Sequence, residues 1–179
     1  MEENKSIEHV LDNMDKNKVY KTKSSILVSL ILIIAGAISL AIYAAFEWKS
    51  TDTFPHFLFI AGISGILIGI FMYFFRKSHY VLAENKQKLI KSEVYFKINE
   101  QNKLVKLIET GNLAEIKTLK PSISDGLKLR IVATKDGQIC LSQVIAYITN
   151  EYINISTVQQ HPVNDARILI DYSRQNSSK

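Results

Sequence analysis

The sequence predicts a membrane α-helical hairpin of two transmembrane helices, followed by a small cytoplasmic α+β domain with a mainly antiparallel sheet. Three observations carry that expectation: two long uncharged runs, a basic bias on one side of them, and a switch to alternating patterns after residue 76. Each is taken in turn.

The runs are residues 25–46 (SILVSLILIIAGAISLAIYAAF) and 54–75 (FPHFLFIAGISGILIGIFMYFF), and neither holds an Asp, Glu, Lys or Arg. As a helix each reaches about 33 Å, enough to cross a hydrocarbon core of about 30 Å. A chain of 179 residues is too small to cover two such helices with protein. A cleavable signal peptide is disfavoured, because a mostly polar segment precedes the first run and the run exceeds a signal h-region.

The basic residues set an orientation. Lys16, Lys18, Lys21 and Lys23 precede the first run, and Arg76, Lys77, Lys86, Lys88 and Lys91 follow the second, whereas the loop between them holds only Lys49. The positive-inside bias places both termini in the cytoplasm, so the expectation is a two-pass protein of the cell's inner (plasma) membrane. Trp48 on the outer side, with Tyr73, Arg76 and Lys77 on the inner side, are the expected membrane-interface residues. The pI near 9 follows from this juxtamembrane excess, which anionic lipid attracts, and nucleic acid is not an expected partner.

Small residues recur within the runs. Ala61, Gly65 and Gly69 fall at i, i+4, i+8, and so do Ala37, Ala41 and Ala45. Small residues at that spacing let helix backbones approach closely in lipid. The expected contact is between the glycine stripe and the alanine stripe of the same hairpin, with a homo-oligomer interface as the alternative.

Residues 1–24 form a separate cytoplasmic segment in this reading. Ile7, Val10, Leu11 and Met14 make one face of a short amphipathic helix. That face suits packing on the chain's own soluble domain, with docking to a partner as the alternative.

The domain at 76–172 reads as ββα(α)βββα. Strands at 79–83 and 89–96 flank a polar turn, and a helix from about Asn99 to Thr110 ends at Gly111. Asn112 is placed to cap a shorter helix with Glu115 at the capping-box position. Leu127–Ile131 alternates into Lys135-Asp136-Gly137, a hairpin signal, and the long return run reaches Thr149. A strand at 152–158, Pro162 and a terminal helix at 163–172 complete it, and 173–179 reads as a disordered tail.

Catalytic chemistry is not found. There is no glycine-rich phosphate loop, and the four histidines carry no paired-ligand spacing. The single Cys140 lies in an apolar strand, which suits packing filler and excludes an internal disulfide. The spans lack the acidic or basic residues that mark ion pathways. No catalytic residue, cofactor or metal site is therefore assigned. The functional expectation is a non-enzymatic, membrane-anchored interaction or scaffold protein of a bacterial envelope or defence assembly. Its partners would be the lipid bilayer and a protein of unknown identity. An oligomeric protein acting through its spans is the alternative, as a pore former, membrane-disturbing effector or immunity protein, and a tethered enzyme is the least favoured.

Overall fold

In the computed structural model, the described residues are 4–47, 53–123 and 126–176. The chain divides into two compact units, one of Met1–Lys21 with Tyr80–Lys179 and one of Thr22–His79.

The second unit is built from α2 (Leu27–Ala45) and α3 (Phe54–Phe74), the two long apolar helices expected from the sequence. Pro55 stands in the first turn of α3, where its missing N–H costs nothing. Only 11% of each helix's most apolar window is buried.

The first unit is a three-layer arrangement around one antiparallel sheet. In it, β3 (Ile90–Phe96), β4 (Pro121–Ser122), β5 (Leu127–Ala133), β6 (Cys140–Ile148) and β7 (Glu151–Asn154) lie in the order β4-β3-β5-β6-β7, and β8 (Gln159–Gln160) also pairs with β6. Alternation sends Leu127, Leu129, Ile131 and Ala133 to one face. There they meet α4 (Gln101–Thr110), a 3-10 helix at Leu113–Thr118 and α5 (Val163–Asn176). The opposite face carries Val132 and Leu141, which pack with Ile7 and Leu11 of α1 (Ile7–Asp12).

The N-terminal segment is thus a part of the first unit. Ile7 is fully buried, and Leu11, Val19, Leu82 and Leu89 join it in one cluster. Ser6 caps α1 by accepting a hydrogen bond from the His9 amide at 3.2 Å. A strand that the sequence pattern did not announce, β1 (Val19–Lys23), pairs with β2 (Ser78–Leu82) as a small separate sheet.

Two other boundaries differ from expectation. The terminal helix does not stop at Tyr172 but runs to Asn176, because Ser173 is buried and the Asn176 amide donates to the Tyr172 carbonyl at 2.9 Å. The capping box at Asn112 does not form. Instead the Asn112 amide donates to the Glu115 carboxylate at 2.7 Å, and the segment that follows is 3-10.

Candidate interaction surface

Within the hairpin unit, α2 and α3 meet backbone to backbone. A methyl group on Gly36 would lie 2.7 Å from the Gly62 carbonyl oxygen and 2.9 Å from the Ile66 amide nitrogen. One on Gly69 would lie 2.9 Å from the Ser29 carbonyl oxygen, and one on Gly65 would be 3.3 Å from that of Leu32. Ser39 Oγ donates to the Leu58 carbonyl at 2.9 Å, a side-chain bond from one helix to the backbone of the other. Tyr43 and Phe59 continue the contact, with ring centroids 5.2 Å apart. The contact residues recur by sevens: Ser29 and Gly36 on one helix, Gly62 and Gly69 on the other.

The expected facing of stripes is therefore corrected on one side. Gly65 and Gly69 do face α2, with Ala61 half-buried beside them, but Ala37, Ala41 and Ala45 are exposed. The alanines start one position beyond Gly36, about 100° further round the helix. Glycine wins that contest because the partner's carbonyl occupies the place of its side chain, a distance no alanine permits.

Of the interface residues, Tyr73 and Arg76 are brought together. The Arg76 guanidinium stands 4.9 Å from the Tyr73 ring centroid, and its Nε donates to the Tyr73 carbonyl at 3.1 Å. The Lys77 carbonyl accepts from the Ser24 amide and hydroxyl, each at 3.0 Å. Trp48 lies outside the described residues.

On the α1 face of the sheet, charge is concentrated and paired. Glu93 receives Arg130 Nε at 2.9 Å, Lys128 at 3.4 Å and Lys91 at 3.6 Å, while Glu8 of α1 receives Arg130 at 3.3 Å and Lys91 at 3.5 Å. Cross-strand register explains the cluster, since Glu93 lies opposite Arg130 and Tyr95 opposite Lys128. Lys128 is nearly buried, and its ammonium also lies 3.9 Å from the Tyr152 ring centroid. Burial pushes the Glu8 and Glu93 carboxyls up, but for Glu8 a backbone hydrogen bond, Arg130 and Lys91 outweigh it, and for Glu93 Arg130, Lys128 and Lys91 do. Both end below the usual carboxylate range. Tyr80, half-buried and donating to Asp12 at 2.9 Å, is pushed up to about 12 by desolvation and that bond.

A serine–histidine pair was not legible in the sequence, its members standing 19 positions apart. Ser142 Oγ lies 2.6 Å from His161 Nε2. This is the spacing of a nucleophile and its base, but Ser142 is fully buried and His161 is nearly so. The pair closes the β6–β8 junction, where the His161 amide also donates to the Cys140 carbonyl at 2.9 Å. Cys140 is buried as expected, and burial lifts its thiol to about 12. Among the described residues no three His, Cys, Asp or Glu side chains gather as metal ligands.

Two clefts flank α5. One, about 350 Å³, is rimmed by Lys117, Arg167 and Arg174, with Asp171 paired to Arg174 at 3.6 Å. The other, about 230 Å³, lies between α5 and β3, with Ile90, Ile131 and Ile170 in its walls and Lys135 and Arg174 at its rim. The two outer strands of the sheet differ. At β7 the Asn4 side-chain amide donates to the Asn154 carbonyl at 3.2 Å, and the Asn154 side-chain amide donates to the Asn4 carbonyl at 3.1 Å, so the N-terminal segment meets the last residue of that strand. At β3 the strand β4 pairs only with Tyr95 and Phe96.

Compared with known proteins, the chain matches no protein-family model, no curated protein and no solved structure.

Proposed function

We propose that the chain is a two-pass membrane protein whose α2–α3 hairpin anchors the α+β unit on the cytoplasmic side, and that the unit serves as a docking module for another protein. The observation that supports the anchor is the outer surface of the hairpin. Leu27, Phe57, Leu67 and Phe74 are each more than half exposed, and charged side chains are absent from both helices. A surface of that kind is incompatible with water and suited to acyl chains. The basic residues flanking the helices support the cytoplasmic side.

Docking is favoured over catalysis by the state of the reactive groups. Cys140 and Ser142 are sealed in the sheet, and the carboxylates of Glu8 and Glu93 are engaged by cations. What the unit offers to solvent is a sheet edge, basic rims and apolar side chains such as Ile98 and Ile123.

The test has two arms. In a Cys140→Ala background, a cysteine at position 51 is expected to react with a membrane-impermeant maleimide from outside the cell, and one at position 135 only after lysis. Reaction of both from outside overturns the orientation, and release of the protein by alkaline carbonate overturns the anchor. For docking, photo-reactive residues placed on the unit are expected to give one discrete protein adduct at native expression. Adducts with lipid alone remove the docking reading.

A further inference from the structure

Resting on that docking reading, we infer that the groove between β3 and α5 takes an extended, acidic peptide segment of a partner protein, which adds as a strand to the edge of β3. Four observations converge on it.

The first is the free edge. Turn bonds from β2 end at Leu89, whose amide donates to the Tyr80 carbonyl, and β4 begins only at Tyr95. Between them, Ile90–Val94 has β5 on one side and, among the described residues, no strand on the other.

The second is the phase of the ladder. The Thr134 amide donates to the Ile139 carbonyl at 2.9 Å, so the even positions of β5 bond to β6 and its odd positions to β3. Ala133, Ile131 and Leu129 pair with Ile90, Ser92 and Val94. The amides and carbonyls of Lys91 and Glu93 therefore point to the open edge, four groups in the spacing that an added strand satisfies.

The third is the groove itself. Ile90 is 58% exposed and stands with Ile131 and Ile170 along one wall, a seat for one apolar side chain of the incoming strand. Successive side chains of a strand alternate, so its neighbours fall at the rim.

The fourth is charge. Lys135 and Arg174 stand at that rim, and no carboxylate lines the groove. The Lys91 ammonium is already committed to Glu8 and Glu93 on the opposite face of the sheet. An acidic residue on either side of the apolar one meets Lys135 and Arg174, the latter held only by an exposed pair with Asp171 on its own helix at 3.6 Å.

The experiment uses the full chain in phosphatidylcholine nanodiscs and a fluorescent pentapeptide, acetyl-Glu-Val-Glu-Val-Glu-amide, read by anisotropy. Saturable binding is expected. At least tenfold weaker binding is expected for the same peptide N-methylated along its backbone, and for the Lys-Val-Lys-Val-Lys peptide. The pair Lys135→Glu and Arg174→Glu should weaken the acidic peptide at least fivefold while leaving the circular dichroism unchanged. Equal binding of the N-methylated peptide overturns strand addition, and indifference to the charge reversals overturns the groove. Displacement of the peptide by phosphatidylserine vesicles, but not by phosphatidylcholine ones, would assign the basic rim to a lipid surface and overturn the proposal. A discrete protein adduct elsewhere on the unit, with no peptide bound here, would sink the groove and leave the docking reading standing.

Discussion

Gly36 and Gly62 touch through their backbones, with the carbonyl oxygen of one filling the space where the other would carry a side chain. This contact makes the hairpin sensitive to single carbons. Gly36→Val and Gly62→Val are each expected to cost about 1–3 kcal/mol of helix–helix association, as overpacking does. Ala41→Val, on the exposed face, should cost under about 0.5 kcal/mol. Energy transfer between labels on the two helices, followed through an SDS titration, measures both. Equal effects at Gly36 and Ala41 would show that the helices meet elsewhere.

Ile7 is the most completely buried apolar group that the N-terminal segment contributes to the α+β unit. Ile7→Ala should destabilise that unit by about 2–5 kcal/mol, the range for emptying a closed core site. Glu8→Gln, which removes a half-exposed and screened pair, should cost no more than about 1 kcal/mol. Urea midpoints followed by far-ultraviolet circular dichroism give the ranking. A freely fraying α1 would make both variants silent.

Glu93 differs from Glu8 because Lys128 depends on it. Glu93→Gln leaves an ammonium that is almost buried without its anion, and a loss of about 1.5–3 kcal/mol is expected. The carboxyls of Glu93 and Glu8 both lie below their ordinary value of 4.5 in the folded chain, so the unfolded chain takes up protons first on acidification. Their contribution is present above 4.5 and is lost as pH falls through the folded values. Denaturation midpoints at pH 6, 4 and 3 follow it, with Glu93→Gln expected to flatten the slope below pH 4.5.

His161 titrates in a different window. Burial holds its imidazole below the usual 6.5, against the opposing pull of the Asp165 carboxylate. Between the folded value and 6.5 the unfolded chain binds a proton that the folded chain does not. Stability is thus complete above 6.5 and declines as pH drops through that interval, with the bond to Ser142 the first contact at risk. His161→Gln keeps a polar partner for Ser142 and removes the titration, so its midpoint should vary less between pH 7 and pH 5.5 than that of the unaltered chain.

Cys140, with a thiol pushed up to about 12 by burial, should resist maleimide in the folded protein and react fully in denaturant. Rapid labelling of the folded chain at pH 7 would place the β6–β8 junction open to solvent.

Much of this architecture was legible because local chemistry and tertiary packing agree. Gly111 and Gly137 take the positive φ of a helix end and a hairpin turn, at +72° and +79°, and the apolar runs became α2 and α3. Other features depend on partners far along the chain. The sequence VYKTK holds the β-favouring Val19, Tyr20 and Thr22, but five residues with one apolar position set no clear alternation, and β1 pairs with β2 far along the chain. The choice of Gly36 over Ala37 as the packed position is a rotation of one residue, fixed by the place of the Gly62 carbonyl. The Ser142–His161 pair and the open edge at Lys91 and Glu93 follow from strand register, which a periodicity of two leaves undetermined.

The α+β unit is discontinuous in the chain: Ile7, Leu11 and Val19 complete a cluster with Leu82, Leu89, Val132 and Leu141, while all of Thr22–His79 intervenes. Synthesis therefore releases α1 long before its seat exists. Until β5 and β6 have been made, that helix has nothing to rest on, and both apolar helices are made in the meantime. Maturation of the α+β unit thus reports that both apolar helices have already been made. A soluble version beginning at Tyr80 would lack its own N-terminal buttress and show apolar residues that the whole molecule hides.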